Sequence, residues 1–429
     1  MVLRLSNSIS RGLVVVVASL IGLWLSFFGL RAAIARHGYE GNTAKRLELA
    51  VRLEPSNPAY WYRLGRYQQN NLEESDSALA QQSFHRAIAL NPLYTDAWLD
   101  LATSYELEGK NAEALEAYLQ AKKSYPVSAD VAWRYGNFLL RQGEQRQAYA
   151  ELRHAVEADP KFAESAFSLA YRVNPDIDGI LEKLLPAKQN AYVDVIGLAA
   201  RTNQLAVGKA VWEQLMNLHS RLGIGNFDGF VHGLLLTGEF AESRRVWDQG
   251  VATMGLPPLL QPQGSVVWDP SFESSIRDST FSWHFRPVVQ GVSVGLDDTE
   301  KHSGSRSLRL SFDGKLNPDV EAACTIGIVQ PGSPYHFFGW IKTKEIATEH
   351  GIGFRLRSVE DNTVVNTREV HGSNSWTFVE HSWIAGHNIH RLQICVIHEP
   401  SDNPGLRISG DAWVDDVNLV PLPADSHLP

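Results

Sequence analysis

Tyr335 to Lys342 reads YHFFGWIK, a run in which aromatic side chains fall on both faces of an extended strand. Tyr335, Phe337, Gly339 and Ile341 share one face; His336, Phe338, Trp340 and Lys342 share the other. One face must be core. The second can offer flat rings to the apolar faces of sugars, with polar groups at the ring edges, which is the chemistry of a polysaccharide site. Arg355 and Arg357 alternate with Phe354 and Leu356, and Gln393 alternates with Leu392 and Ile394. Phe338, Trp340, Arg355, Arg357 and Gln393 therefore form a candidate carbohydrate-binding cluster. Ordinary packing under a neighbouring loop is the competing account, since a Trp is usually well buried. Cys324 and Cys395 lie in the same region, and their spacing leaves a disulfide and two buried thiols equally open. The His residues scattered here match no metal-binding helix motif. With no paired carboxylates or nucleophile–base pattern, the chain reads as non-catalytic.

These residues need strands to hold them. Residues 264–429 break into short alternating segments (SLRLSF, TIGIV, FRLRSV, WTFVEHSW, LQICVI, AWVDDVNLV) separated by Gly, Pro, Asn and Asp, the pattern of an all-β sandwich. This stretch holds 13 Lys or Arg against 21 Asp or Glu, a net of −8, within a whole-chain net of −9. That balance excludes a nucleic-acid binder, which needs a basic face. Upstream the periodicity is helical. Pro55, Pro92, Pro126 and Pro160 are spaced 37, 34 and 34 apart, and each closes a helical stretch. Between them, small residues (Gly65, Ala102, Gly136, Ala114, Ala148) alternate with large ones (Trp98, Tyr105, Tyr118), so paired helices can approach and fill the gaps between neighbours. The longer first spacing fits three residues inserted near Asn70 to Asp76. Thr43 to Pro55 reads as a second helix without a first. Repeats are expected over 42–175 and divergent repeats over 176–260, with the boundary at the Pro-rich 257–263. Ahead of them, Leu13 to Leu30 is an uncharged run of 18 residues that spans roughly 27 Å as a helix. Arg4 and Arg11 before it and Arg31 and Arg36 after it give little orienting bias. An uncleaved anchor over 1–36 competes with a signal peptide cut at Ala33-Ile34-Ala35.

The repeat pattern resembles the tetratricopeptide repeat family, which implies an all-α solenoid whose concave face binds protein. The C-terminal segments contain Trp268-Asp-Pro-Ser-Phe-Glu273, Trp283, His302-Ser-Gly304-Ser-Arg-Ser-Leu308, Val329 to Tyr335, Trp376-x-Phe378 and Val414-Asp415-Asp416-Val417. In this order they resemble the jelly-roll carbohydrate-binding modules of xylanases and cellulases. That family often holds a structural calcium between its first and last strands. The resemblance places it at Glu273 with Asp415 or Asp416; hydrogen-bonded carboxylates are the alternative. The expected molecule is multidomain: a transmembrane helix, a repeat solenoid, then a jelly roll. It would be a non-catalytic adaptor in a bacterial inner membrane with its bulk outside the cytoplasm. It would bind protein partners and polysaccharide in exopolysaccharide or cell-surface assembly. The alternatives are a pure protein-interaction scaffold and a glycoside hydrolase-associated domain.

Overall fold

The computed structural model describes the chain except residues 1–7, 42, 72–74, 259–263, 287, 402, 404 and 424–429. Arg4, the centre of the expected insertion and most of the Pro-rich boundary lie outside the described residues. The chain forms two compact units, Met1–Pro186 and Ala187–Pro429.

The first unit is helical throughout. It contains α1 (Ser8–Tyr39), α2 (Ala44–Leu53), α3 (Pro58–Asn70), α4 (Ser77–Leu90), α5 (Thr95–Leu107), α6 (Asn111–Ser124), α7 (Ala129–Arg141), α8 (Gln145–Ala158), α9 (Ala163–Val173) and α10 (Ile177–Lys183). Pro55, Pro92, Pro126 and Pro160 each sit two residues beyond a helix end, where a ring without an N–H does no harm. The repeat recurs in atomic detail. Trp61 Nε1 donates to the Pro55 carbonyl at 2.8 Å, and Trp98 Nε1 makes the same bond to Pro92 at 2.9 Å. Helices α3 and α4 close to contact at Gly65, where an added Cβ would lie 2.7 Å from the Phe84 ring. Gly109 and Gly143 end α5 and α7 with φ of +73° and +81°, conformations that glycine adopts at little cost.

One expectation is corrected here. The helix α2 is not alone: the end of α1 is its partner. Ala35 is fully buried with Leu47, Ala50 and Val51, and Tyr39 packs on Tyr60 with ring centroids 5.0 Å apart. Arg31 Nε donates to the Leu53 carbonyl at 2.5 Å. The apolar helix therefore runs without a break into the first repeat, whereas its stretch from Leu13 to Leu30 is exposed along its length.

The second unit begins with α11 (Gln189–Arg201), α12 (Leu205–Asn217), α13 (Asp228–Leu236) and α14 (Phe240–Thr253). Composition changes near residue 264, yet these helices share a unit with the strands. Trp247 of α14 explains this: it packs edge-on against Trp268 at 5.2 Å and Phe281 at 5.4 Å. The Thr280 N–H also donates to Asp228 Oδ1 of α13 at 2.9 Å.

The strands are β1 (His284–Phe285), β2 (Val288–Val289), β3 (Val292–Asp297), β4 (Ser307–Asp313), β5 (Val320–Ile328), β6 (Pro334–Ile346), β7 (Gly353–Ser358), β8 (Val364–Asn366), β9 (Gly372–Ile384), β10 (Arg391–His398) and β11 (Ser409–Pro421). They form two antiparallel sheets, a jelly-roll sandwich. One has the order β1-β5-β10-β7-β8 and the other β2-β3-β4-β11-β6-β9. Inward residues from both sheets, among them Leu310, Phe337, Phe354, Leu392 and Val414, make one core. Gly339 interrupts the aromatic run of β6 because the Phe354 ring of the facing sheet leaves no room; a Cβ there would be 2.7 Å away.

Candidate functional site

The alternation read from the sequence holds on every strand concerned. On β6, Tyr335, Phe337 and Ile341 are buried while Phe338 and Trp340 are half-buried on the outer side. On β7, Phe354 and Leu356 point inward and Arg355 and Arg357 outward; on β10, Leu392 and Ile394 point inward and Gln393 outward. However, β6 belongs to the six-stranded sheet, and β7 and β10 to the five-stranded sheet. Phe338 and Trp340 thus lie on one outer face of the sandwich and Arg355, Arg357 and Gln393 on the opposite one. The five residues do not form a single cluster. A period of two tells in from out but does not tell one sheet from the other.

On the five-stranded face, strand register sets His284, Cys324, Cys395, Arg355 and Asn366 in one row across the sheet. Cys324 and Cys395 are joined as a disulfide between directly paired positions. Glu321 anchors the polar groups around them. It accepts from Arg355 Nη1 at 3.0 Å and from Arg357 Nη2 at 2.5 Å. Burial works to raise the Glu321 pKa, but these two guanidinium bonds outweigh it and hold the carboxyl below its ordinary value. Arg355 also reaches Glu399, and Arg357 Nη1 donates to Gln393 Oε1 at 3.1 Å. Beside Gln393 a groove of about 470 Å³ opens between this face and α13. Phe285, Ile326 and Leu235 give it an apolar lining; Asp278, His284 and Gln393 give it polar edges. That combination suits a ligand with apolar faces and hydroxyl rims.

On the six-stranded face, Trp340 is opposite Phe378 of β9, with rings 5.2 Å apart, and Phe338 is 5.8 Å from the same ring. His302, from the loop before β4, stacks on Trp340 at 4.0 Å and 17°, and Trp376 meets its edge at 5.6 Å. His302, Trp376 and Phe378 were not in the sequence-derived cluster. The alternation in Trp376-x-Phe378 was visible, but the pairing of β9 with β6 was not.

The three carboxylates assigned to calcium all hold the loop 302–306. Asp415 is fully buried; its Oδ2 accepts the His302 and Ser303 N–H groups at 2.8 and 3.0 Å. Burial, helped by the neighbouring Asp416 charge, pushes its pKa up to about 6 against those bonds. Asp416 accepts from Ser271 Oγ at 2.5 Å, Ser303 Oγ at 2.7 Å and His302 Nδ1 at 2.6 Å. Burial works upward on Asp416 too, but these donors hold it below its ordinary value. Glu273 Oε1 accepts the Ser305 and Arg306 N–H groups at 2.7 and 3.2 Å, and its Oε2 takes the Ser305 hydroxyl. The lone pairs a calcium ion would use are directed at N–H and O–H donors, so as arranged these residues do not fit the cation. Among the described residues, the group of three possible metal ligands that converges is Glu321, Cys324 and Cys395, whose sulfurs are bonded to each other.

A family model for the tetratricopeptide repeat matches residues 69–129 and 108–163, and one for a carbohydrate binding domain matches residues 264–403. The chain therefore carries a tetratricopeptide-repeat region in its N-terminal part and a carbohydrate-binding-type domain, folded as a jelly roll, at its C-terminus. The human Cell division cycle protein 16 homolog is 24% identical over 177 residues, covering 39% of this chain and 26% of that protein. The chain thus spans about a quarter of the length of that curated relative. Among solved structures, the C-terminal family 22 carbohydrate binding module of Clostridium thermocellum Xyn10B is 15% identical, over 39% of this chain and 99% of the module, with a TM-score of 0.28. YrrB, a tetratricopeptide-repeat protein, is 11% identical over 50% of this chain and 94% of its own, with a TM-score of 0.27.

Proposed function

We propose that this protein is a membrane-anchored, non-catalytic adaptor whose repeats bind protein and whose jelly roll binds carbohydrate. The observation that carries the carbohydrate reading is the groove on the five-stranded face, with its apolar lining and a polar edge at Gln393, whose side chain Arg357 holds in place from outside the groove. Sugars need both: C–H faces to cover apolar surface, and hydroxyls to meet donors and acceptors already held in place. On this reading Glu273, Asp415 and Asp416 brace the 302–306 loop directly, in place of the calcium that the resemblance implies.

The anchor is the exposed apolar stretch of α1. A cut at Ala35 would strip α2 of the helix that covers Leu47, Ala50 and Val51, which favours an uncleaved anchor over a signal peptide. A disulfide in the sandwich suits an oxidising compartment, and so supports the bulk of the chain lying outside the cytoplasm. An anchored protein-binding array paired with a polymer-binding module suits a bacterial inner membrane and a role in exopolysaccharide or cell-surface assembly.

The test is a glycan array probed with the full chain in detergent. Gln393→Ala and Arg357→Ala should each weaken the strongest signal, by about 0.5–3 kcal/mol for a lost hydrogen bond. If no glycan is retained, the chain is a protein-interaction scaffold with a structural sandwich. Sugar release from a bound glycan would reveal a hydrolytic function instead.

A further inference from the structure

The second helices of three successive repeats, α4, α6 and α8, have 14 residues each; α10, in the next position, has seven. At 1.5 Å per residue the solenoid is short by roughly 10 Å of helix at this point. The shortfall leaves part of α8 uncovered. The result is a cavity of about 650 Å³ between α8 and the segment from Asn174 to Lys183. This volume lies within the usual range of small-ligand sites.

Its lining has a definite chemistry. Arg146 and Arg153 are two turns apart on α8, about 10 Å along the axis, and Lys183 stands across from them on α10. Arg153 is held in place: Nε donates to Glu157 at 3.1 Å, and Nη1 donates to the Glu182 and Leu185 carbonyls at 3.1 and 3.4 Å. Arg146 and Lys183 are exposed. The lining carboxylate, Asp176, caps α10 by accepting the Gly179 N–H at 3.0 Å. Tyr149 forms the back wall, its hydroxyl accepting from Gln145 Nε2 at 2.9 Å, and Asn174 adds a second side-chain amide.

The geometry points to a binding site for an acidic oligosaccharide, a uronate chain, on the repeat array and apart from the groove of the jelly roll. Spaced cations match a ligand that carries several carboxylates better than one with a single point charge. The amides of Gln145 and Asn174 supply partners for sugar hydroxyls, which an acidic peptide of equal charge lacks.

The experiment is calorimetric titration of the full chain, in zwitterionic detergent, with an oligogalacturonate hexasaccharide. A neutral hexasaccharide and hexaglutamate serve as comparisons. The uronate should bind at least about tenfold more tightly than either, and its affinity should fall as salt rises. Arg146→Gln and Lys183→Gln should each weaken it about tenfold with an unchanged melting curve, because both side chains are exposed. Gln393→Ala in the jelly roll should leave it unaltered. Absence of uronate binding overturns the proposal, as do Arg146 and Lys183 variants that bind like wild type. Equal affinity for hexaglutamate makes this an acidic-peptide site. Loss of uronate binding in Gln393→Ala moves the site to the sandwich.

Discussion

His398 is fully buried between the sheets, with Nδ1 3.1 Å from the Gly351 carbonyl and Nε2 2.8 Å from the Asn317 side chain. Burial lowers its pKa below the ordinary value of 6.5, against a smaller upward pull from the Gly351 carbonyl and Glu369. The unfolded chain therefore binds more protons than the folded one just below pH 6.5. Stability from this group is complete above pH 6.5 and is lost as pH falls toward the folded pKa, at up to about 1.4 kcal/mol per pH unit. Thermal melts from pH 7.5 down to 5 should show a steeper decline for wild type than for His398→Gln. Parallel curves would mean that the ring is charged or solvated in the folded state. Trp340 tests a different environment. It is half-buried between His302 and Phe378 and open on its outer side. Trp340→Ala should cost about 1–2 kcal/mol in denaturant unfolding, less than the 3–5 of an enclosed aromatic.

At the scale of elements, α1 has two parts with different duties. The stretch Leu13 to Leu30 covers nothing in the protein, whereas Arg31 to Tyr39 completes the first repeat. Deleting residues 1–30 should release a folded chain into the soluble fraction. Extending the deletion through Tyr39 should lower the melting temperature of the array, since it uncovers Leu47, Ala50 and Val51. Equal melting of the two truncations would show that α2 needs no partner. The loop 302–306 gives a second contrast. Its braces are carboxylates already supplied with donors, so melting curves in calcium and in EDTA should coincide. A ligand that binds only the folded state would separate them, by about 2.7 kcal/mol at a hundredfold excess over its dissociation constant.

Across the whole molecule, the disulfide links positions 71 residues apart, on adjacent strands. Closing a loop of that length removes unfolded-chain entropy worth about 4 kcal/mol in the chain-entropy model. Reduction, or Cys324→Ser with Cys395→Ser, should lower the denaturant midpoint of the sandwich accordingly; an unchanged midpoint would show that strand pairing alone closes the loop. Much of this architecture was legible in the amino-acid order. Helical repeats, short strands and the inward or outward sense of Trp340, Arg355 and Gln393 follow from side-chain periods of 3.6 and 2, which are properties of the local backbone. Pro55, Pro92, Pro126 and Pro160 marked helix ends because a proline acts on its immediate neighbours. What the tertiary structure alone decided are the relations between distant segments. Trp340 and Arg355 lie on opposite faces because β6 and β7 joined different sheets. His302 covers Trp340 through a loop tied to Asp416, 114 residues away. The end of an apolar helix became half of a repeat, and a seven-residue α10 left a cavity along α8. Each depends on which surfaces meet, and that is set by the combined packing of many segments, for which no local period carries a signal.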